Sequence, residues 1–269
     1  MLSSKAIIYS YGKSKFCLNQ KKSMNVSVGV SVPEYGQNTN ISTVSHVSAT
    51  IPPPGARLID WLFGPNSTCH VKKKVKAKEL MHGIENENAY ALKFGNGIEA
   101  YAKGKTMEQF TNFFQSERPF RINVCVIHPV NGSHVQVMSL KRPYKRLGGE
   151  LKVKDASNGE VLGYVKKETC LTSRKLVVKD EEGNDCYYLK ASAFFGKNFH
   201  IYDSREHQDK STGFIKKEWC GILKEMYGES ECFSITFPAS ATPKEKALLL
   251  SAIFLIDFIY FEDNEKLQF

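Results

Sequence analysis

The stretch that decides the fold is residues 247–261, ALLLSAIFLIDFIYF, an almost unbroken apolar run whose single charged residue is Asp257. At about 1.5 Å per residue, a helix of this length reaches roughly 22 Å, whereas the hydrocarbon core of a bilayer is about 30 Å thick. A charge such as Asp257 is costly inside hydrocarbon. A helix that is apolar all round must still be buried, so length and charge leave both a core helix and a spanning or re-entrant helix open.

The start of this helix is marked by the residues before the apolar run. Thr242 and Glu245 fit a capping box, in which the Thr242 hydroxyl accepts from the Glu245 amide and the Glu245 carboxylate bonds back to the Thr242 amide. Pro243 falls at the first helical position, where its missing N–H costs nothing. The sequence therefore predicts a helix that begins near residue 243.

The body of the chain reads as short strands separated by turn signals about every ten residues. Residues 120–127 (FRINVCVI) and 134–140 (HVQVMSL) alternate apolar and polar side chains, and residues 128–132 (HPVNG) between them are typical of a hairpin turn. DASNG at 155–159 and DEEG at 180–183 separate further strands. This spacing predicts an antiparallel sandwich or barrel. A closed barrel needs its lumen filled, and the apolar helix is available to fill it.

The composition favours an anionic partner. The chain has 269 residues, of which 42% are hydrophobic, and a net charge of +9. That charge suits nucleic acid or an anionic membrane leaflet, although a merely basic surface would give the same composition. Neither of the two densest clusters interleaves aromatic residues as a binder of single strands does. The first candidate cluster, residues 72–78, contains Lys72, Lys73, Lys74, Lys76 and Lys78, and the second, residues 141–146, contains Lys141, Arg142, Lys145 and Arg146.

Charge, cysteine spacing and motifs indicate how the chain is organised and which kinds of site we expect. Residues 1–50 have no acidic residue before Glu34 and predict a disordered basic arm, with a mitochondrial transit peptide as the alternative. The seven cysteines form no CxxC pair, which predicts reduced thiols facing the cytosol and argues against a zinc site. No HExxH motif, nucleophile elbow or phosphate-binding glycine loop is present, so we expect neither bond-making catalysis nor a small organic cofactor.

Three segments near the C-terminus carry recognisable motifs. Residues 213–225, GFIKKEWCGILKE, resemble a segment of the phospholipid scramblase family, in which a lysine-bearing strand runs into Trp-x-Gly-Ile-Leu-Arg/Lys-Glu. Residues 233–238, FSITFP, and 254–262, FLIDFIYFE, are similar to its Phe-Gly-Ile-Gln-Phe-Pro and Phe-Leu-Ile-Asp-Phe-Met-Phe-Phe-Glu. Shorter matches lie upstream in the family's order: PPG at 53–55, RPF at 118–120, LKRP at 140–143 and LGYV at 162–165. The joint order is specific, and the likeness covers roughly residues 52–263.

The resemblance implies a tubby-like fold, a mainly β, twelve-stranded antiparallel closed barrel around a central hydrophobic C-terminal helix. The barrel domain would span residues 51–263, between the arm and a tail at 264–269. The resemblance also implies ATP-independent, calcium-stimulated movement of phospholipids between membrane leaflets, without enzymatic chemistry. We expect association with an anionic phospholipid membrane at its cytoplasmic face, the plasma membrane first and a mitochondrial or nuclear location as the alternative. Nuclear and DNA-binding roles are ascribed to members of the family.

The resemblance also implies a calcium site, in a degenerate form. The family's loop, Asp-x-Asp-x-Phe-x-Ile-x-Phe-x-x-Asp, corresponds here to Glu229, Glu231, Phe233, Ile235, Phe237 and Ser240. Calcium takes about six to eight oxygen ligands, and here Ser240 removes the closing carboxylate. The apolar positions offer backbone carbonyls alone, and their alternation equally indicates a plain β-strand. Any calcium affinity should therefore be weak.

Two hypotheses follow for the terminal helix. In a scramblase whose helix enters the membrane, Asp257 would be functional. In an interaction protein that binds anionic lipid or nucleic acid through its basic clusters, Asp257 would be a satisfied polar group inside the core. The β-rich body and the resemblance both favour the buried helix. Its core or membrane residues are Leu248, Phe254, Leu255, Ile256, Asp257, Phe258 and Phe261.

Overall fold

The computed structural model of the chain describes residues 52–53, 55–74, 89–106, 119–127, 133–143, 150–170, 172–192, 197–206, 210–219 and 231–261. Within these residues, twelve antiparallel strands close into one barrel, in which each strand pairs with the next along the chain and the last pairs with the first. The predicted mainly β, twelve-stranded closed barrel is confirmed. The predicted arm, tail and hairpin turn at 128–132 lie outside the described residues.

The strands and helices have the following bounds. The strands are β1 (Thr68–Lys74), β2 (Ala89–Phe94), β3 (Glu99–Thr106), β4 (Phe120–Ile127), β5 (His134–Arg142), β6 (Glu150–Asp155), β7 (Val161–Glu168), β8 (Ser173–Lys179), β9 (Asp185–Ser192), β10 (Asn198–Asp203), β11 (Gly213–Trp219) and β12 (Glu231–Thr236). The helices of the described residues are α1 (Leu58–Phe63) and α2 (Pro243–Ile256), and α2 continues as a π-helical turn, Asp257–Phe261.

The strands form because their side chains alternate between the lumen and the solvent. In β4, Phe120, Ile122 and Val124 are buried, whereas Arg121 between them is exposed. This period of two matches the pleat of a strand that has one face in the core. The strands predicted at 120–127 and 134–140 are both present, and the second extends to Arg142.

The predicted turns are held by aspartate side chains and end on glycine. Asp155 Oδ1 accepts from the Ser157 amide at 2.8 Å, and Asp180 Oδ1 accepts from the Asn184 amide at 2.7 Å. Gly159 and Gly183 have φ angles of 75° and 92°, which side chains with a Cβ rarely adopt. These Asp side chains close the β6–β7 and β8–β9 hairpins.

Helix α2 lies inside the barrel. Its residues from Ala247 to Ile256 are at most 1% exposed on every side and belong to one core with the inward-facing residues of the strands. Ring contacts join the end of the helix to strands around the wall. The pairs are Phe254 with Tyr90 of β2, Phe258 with Phe120 of β4, Tyr260 with Phe199 of β10, and Phe261 with Phe233 of β12.

The helix begins where the sequence predicts. Thr242 is the N-cap and Pro243 the first helical residue, and the reciprocal bonds of the capping box to Glu245 are both present. One turn further on, the ammonium of Lys246 donates to the carbonyls of Phe63 and Gly64 at 3.2 and 3.0 Å. Lys246 therefore satisfies the carbonyls at the end of α1 and joins the two helices.

Gly163 of β7 allows the helix to approach the barrel wall. A Cβ at this position would lie 2.9 Å from Leu248 Cδ1 and 2.2 Å from the Lys179 carbonyl oxygen, and the φ of Gly163 is +148°. Any larger residue would therefore push α2 away from β7 or disturb the pairing of β7 with β8.

No helix in the described ranges has the length and apolar character needed to cross a bilayer. The apolar residues of helix α2 and of its π-helical turn pack inside the barrel.

The cysteines differ in part from the expectation of reduced thiols. Cys69, Cys125, Cys170 and Cys186 are free, but Cys232 is disulfide-bonded.

Candidate functional site

Asp257 sits at the end of α2 in a buried polar cluster. Its side chain is fully buried, and its Oδ2 accepts a hydrogen bond from the Tyr90 hydroxyl at 2.7 Å. The Lys73 ammonium lies 3.0 Å from the same oxygen, with its own side chain 10% exposed. At Oδ2, this geometry fits the hypothesis that Asp257 is a satisfied polar group of the core. Burial of an ion pair is tolerated here because both charges keep close partners.

Basic side chains surround the end of the helix in the part of the chain that the structure describes. Helix α2 has no basic residue in its own last turn, although the carbonyls there carry partial negative charge. Strands β1, β5, β8 and β11 supply the cations instead. The contacts are Lys73 to Asp257 at 3.0 Å, Arg142 over Phe258 at 5.6 Å, Arg174 over Tyr260 at 5.0 Å, and Lys217 over Phe261 at 3.8 Å. These contacts hold the end of α2 electrostatically.

A second ionic cluster anchors the start of the helix. Arg205 donates from Nε and Nη2 to the two carboxylate oxygens of Asp203, both at 2.8 Å, and from Nη1 to Glu245 at 2.9 Å. Its Nη2 also donates to the Tyr187 hydroxyl at 2.8 Å. The hydrogen bond from Arg205 holds the pKa of Asp203 below its usual range, and burial raises the pKa of Tyr187 to about 12. This cluster fixes the capping residue Glu245 to the barrel wall.

Of the predicted calcium-loop positions, Glu231, Phe233 and Ile235 lie on β12, and Phe237 and Ser240 follow it. Phe233, Ile235 and Phe237 are buried in the core, and Ser240 donates a hydrogen bond to Asp203 at 3.4 Å. Because β12 is paired with β1 and β11 on its two sides, its carbonyls already accept ladder hydrogen bonds. The described part of the loop therefore does not fit a calcium site by itself.

Calcium binding stays a prediction that depends on two carboxylates. Glu229 and the side chain of Glu231 lie outside what the structure describes. Among the described residues, no group of three or more His, Cys, Asp or Glu side chains could hold a metal ion. We assign no step of function to calcium on this geometry.

The predicted basic clusters are divided by the strands that carry them. Lys72 is exposed on β1, but Lys73 turns inward to Asp257, because neighbouring residues of a strand face opposite sides. Arg142 is likewise 4% exposed and lies over Phe258 inside the barrel. This corrects the prediction for Lys73 and Arg142, which are not available to an anionic surface. Lys74 ends β1, whereas Lys76, Lys78, Lys145 and Arg146 lie outside the described residues.

A basic row on the outer wall contains Lys141 of the predicted cluster, but its other members, Arg121 and Lys152, are not predicted from the sequence. Arg121 of β4 stands opposite Lys141 of β5, and Lys141 stands opposite Lys152 of β6. Lys152 in turn faces Tyr164 of β7, which faces Lys179 of β8. Cross-strand neighbours lie about 5 Å apart at Cβ, and like charges in such pairs are destabilising. The fold therefore holds three cations side by side on its surface at a cost in stability.

This outer wall also carries the aromatic interleaving that the sequence clusters lack. Its rings are half-buried, and each lies close to a lysine ammonium. The contacts are Lys152 over Tyr164 at 5.4 Å, Lys175 over Tyr188 at 4.6 Å, Lys190 over Tyr202 at 5.0 Å, and Lys216 over Phe214 at 4.5 Å. Rings and lysines together give a surface suited to the interface of an anionic membrane.

Part of this arrangement can be read from the sequence. Lys152 and Lys154 alternate with the buried residues Leu151 and Val153, so their outward direction follows from the strand period. Their position beside Lys141 does not follow, because register between strands separated by a loop is not a property of either strand alone.

Comparison with known proteins points to one family. A family model described as Scramblase matches residues 50–263. Human phospholipid scramblase 1 is 26% identical over 207 residues, which cover 72% of this chain and 63% of that protein. Human phospholipid scramblase 2 is 27% identical over 207 residues (71% of this chain, 66% of that protein), and human phospholipid scramblase 4 is 25% identical over 225 residues (78% and 64%). The chain thus spans about 63% of the length of human phospholipid scramblase 1. No solved structure matches it.

Proposed function

Because the chain belongs to the scramblase family, we propose that it is a membrane-associated protein that moves phospholipids in both directions between the leaflets of a bilayer, without ATP. The task is physical: a charged head group must cross hydrocarbon, which costs far more than leaving it in water. No covalent bond is made or broken, so the protein acts as a lipid translocator rather than as an enzyme.

The observation that carries the proposal is the basic row of Arg121, Lys141 and Lys152 on the outer wall. Three cations in cross-strand contact repel one another, and an anion that faces them would relieve this repulsion. Phospholipid head groups are the anions that fit a scramblase. Each Lys or Arg near an anionic leaflet contributes about 1 kcal/mol to binding.

The buried helix limits where lipid could pass. Residues of α2 fill the lumen and Asp257 is tied to the wall, so the closed barrel offers no path through its centre. We therefore place the lipid on the outer wall, where lysines and tyrosines alternate. In this scheme the head group contacts the polar wall while the acyl chains stay in the surrounding bilayer.

Calcium stimulation is a separate part of the proposal. It is supported by the resemblance of residues 229–240 to the family's calcium loop and depends on Glu229 and Glu231. Because Ser240 replaces the closing acid, we expect any stimulation to need calcium toward the millimolar end of the protein range.

We propose which membrane the protein binds from the charge of its outer wall. A basic wall matches the cytoplasmic face of the plasma membrane, whose anionic lipids give it a negative surface potential. Mitochondrial and nuclear membranes are the alternatives, and they are distinguished by imaging the full chain in cells.

A second candidate function is binding to anionic lipid or nucleic acid without transport. The burial of α2 favours it, because the helix that would enter the membrane is committed to the core. Vesicle binding without lipid movement would support this function and contradict the first.

The experiment is lipid movement in reconstituted liposomes. Purified full chain is incorporated into vesicles with a fluorescent phospholipid in both leaflets, and the fraction quenched by an impermeant reductant is measured without ATP. Scrambling predicts quenching beyond the outer leaflet, and the same vesicles are titrated with calcium. Quenching confined to the outer leaflet at every calcium concentration would overturn the proposal.

A further inference from the structure

A groove lies on the outer wall across β5, β6 and β7. It has a volume of about 460 Å³ and is lined by Lys141, Pro143, Glu150, Lys152, Lys154 and Tyr164. Its lining therefore contains three lysines, one carboxylate and one tyrosine ring. The groove coincides with the basic row, since Lys141 and Lys152 are direct cross-strand neighbours.

The charges inside the groove are less neutralised than those around it. Next to it, Lys179 forms an ion pair with Asp185, and Lys175 forms one with Glu168 at 2.7 Å. Within the residues that the structure describes, neither Lys141 nor Lys152 has a carboxylate at ion-pair distance. The single carboxylate of the lining, Glu150, stands opposite Lys166 in the register.

We propose that this groove binds the phosphate of a phospholipid head group and prefers a phosphomonoester to a phosphodiester. The inference deepens the proposed function by naming the class of lipid that this wall recognises, and it depends on that function. A phosphomonoester carries about 1.5 to 2 negative charges and three acceptor oxygens, against one charge for a phosphodiester. The more highly charged group offers Lys141, Lys152 and Lys154 more negative charge and more acceptor oxygens, and so relieves more of their repulsion.

Tyr164 makes the groove suited to a ligand in a membrane. The Lys152 ammonium lies 5.4 Å from the centre of its ring, and the ring is half-buried. Tyr164 therefore offers an apolar face beside a cation. Tyrosine is enriched where proteins meet the head-group region of a bilayer, because one end of the ring is apolar and the other wet. The groove therefore suits a lipid in a bilayer better than free phosphate.

The test compares two variants that lose the same charge. Lys141→Gln with Lys152→Gln removes the two lysines of the row that line the groove, and Lys93→Gln with Lys197→Gln removes two exposed lysines elsewhere on the barrel, one on β2 and one just before β10. Binding is measured by co-sedimentation with phosphatidylcholine vesicles that contain either phosphatidic acid or phosphatidylserine, matched in surface charge. Urea unfolding checks that both variants fold, and the first should be no less stable than the parent, since it loses a like-charge pair.

The proposal predicts tighter binding of the parent chain to the phosphatidic acid vesicles. It also predicts that the groove variant loses about tenfold or more of that binding, while the control variant keeps the preference. Equal binding to both vesicle types, or equal losses in both variants, would overturn it. So would glycerol 3-phosphate or a single-stranded oligonucleotide binding the groove as tightly as the vesicles do.

The two proposals fail separately. Lipid scrambling is measured in the same vesicles with the parent chain. Scrambling without a preference for phosphatidic acid overturns the groove alone, and a preference without scrambling overturns the proposed function alone.

Discussion

Tyr90 on β2 and Asp257 at the end of α2 lie 167 residues apart and are joined by a buried hydrogen bond of 2.7 Å. Lys73 on β1 reaches the same carboxylate oxygen at 3.0 Å. The bond therefore ties the C-terminal helix to the first strands of the barrel. It also explains how an apolar helix can carry one charge into a protein core.

Replacing Tyr90 by Phe removes this hydrogen bond without removing the ring that packs on Phe254. We expect the free energy of unfolding to fall by about 1–3 kcal/mol, because a buried carboxylate loses a donor. Urea denaturation measures the change. Tyr101→Phe is the matched control, since its hydroxyl contacts His134 on the exposed surface and its loss should cost less. Equal effects of the two variants would contradict the assignment.

Asp257→Leu tests whether the helix is a core element. It leaves the Lys73 ammonium beside an apolar cluster, so we expect a loss of about 3–5 kcal/mol in the free energy of unfolding. Adding Lys73→Met should recover much of that loss, because no buried charge then remains without its partner. A double-mutant cycle in urea gives the coupling. Additive losses, or tighter membrane insertion of the single variant, would indicate that the pair is not buried in the barrel.

The capping box predicts a smaller and more local effect. Thr242→Ala removes the side-chain oxygen that accepts from the Glu245 amide, and we expect a loss of about 1 kcal/mol in stability. Thr242→Ser keeps the hydroxyl and should stay close to the parent in thermal and urea unfolding. If both substitutions behave alike, the cap does not determine where α2 starts.

Asp203 makes the free energy of unfolding depend on pH in the acid range. The hydrogen bond from Arg205 lowers the pKa of Asp203 in the folded state, so its contribution is present above the unfolded pKa of about 3.9 and is lost as the pH falls through the folded value. We expect the urea midpoint to drop below about pH 4, and Asp203→Asn to flatten part of that drop. An unchanged pH profile in the variant would show that other carboxylates account for the acid sensitivity.

The fold could be predicted largely because its signals are local. The cap at Thr242, the apolar run after it and the turn at residues 155–159 each depend on neighbouring residues, and all three are present. Whether the apolar helix lies in a membrane or a core is not local. The structure decides it through contacts such as Tyr90 with Asp257, which join the two ends of the barrel domain.

The candidate surface could be predicted less well. A run of lysines suggests one patch, but β1 sends Lys72 outward and Lys73 inward, so the run is not one surface. Conversely, Lys141 and Lys152 form a pair that no window of sequence contains. Register across a loop, rather than composition, creates the basic row.

The central claim is that α2 fills the barrel while lipid is handled on the outer wall. The most direct measurement is cross-linking in scrambling-competent vesicles with a phospholipid that carries a photoactivatable head group, followed by mapping of the labelled peptides. The account predicts no label on residues 248–258 and label on peptides of β5 to β7. Labelling concentrated on residues 248–258 would place the helix in the bilayer and contradict the account.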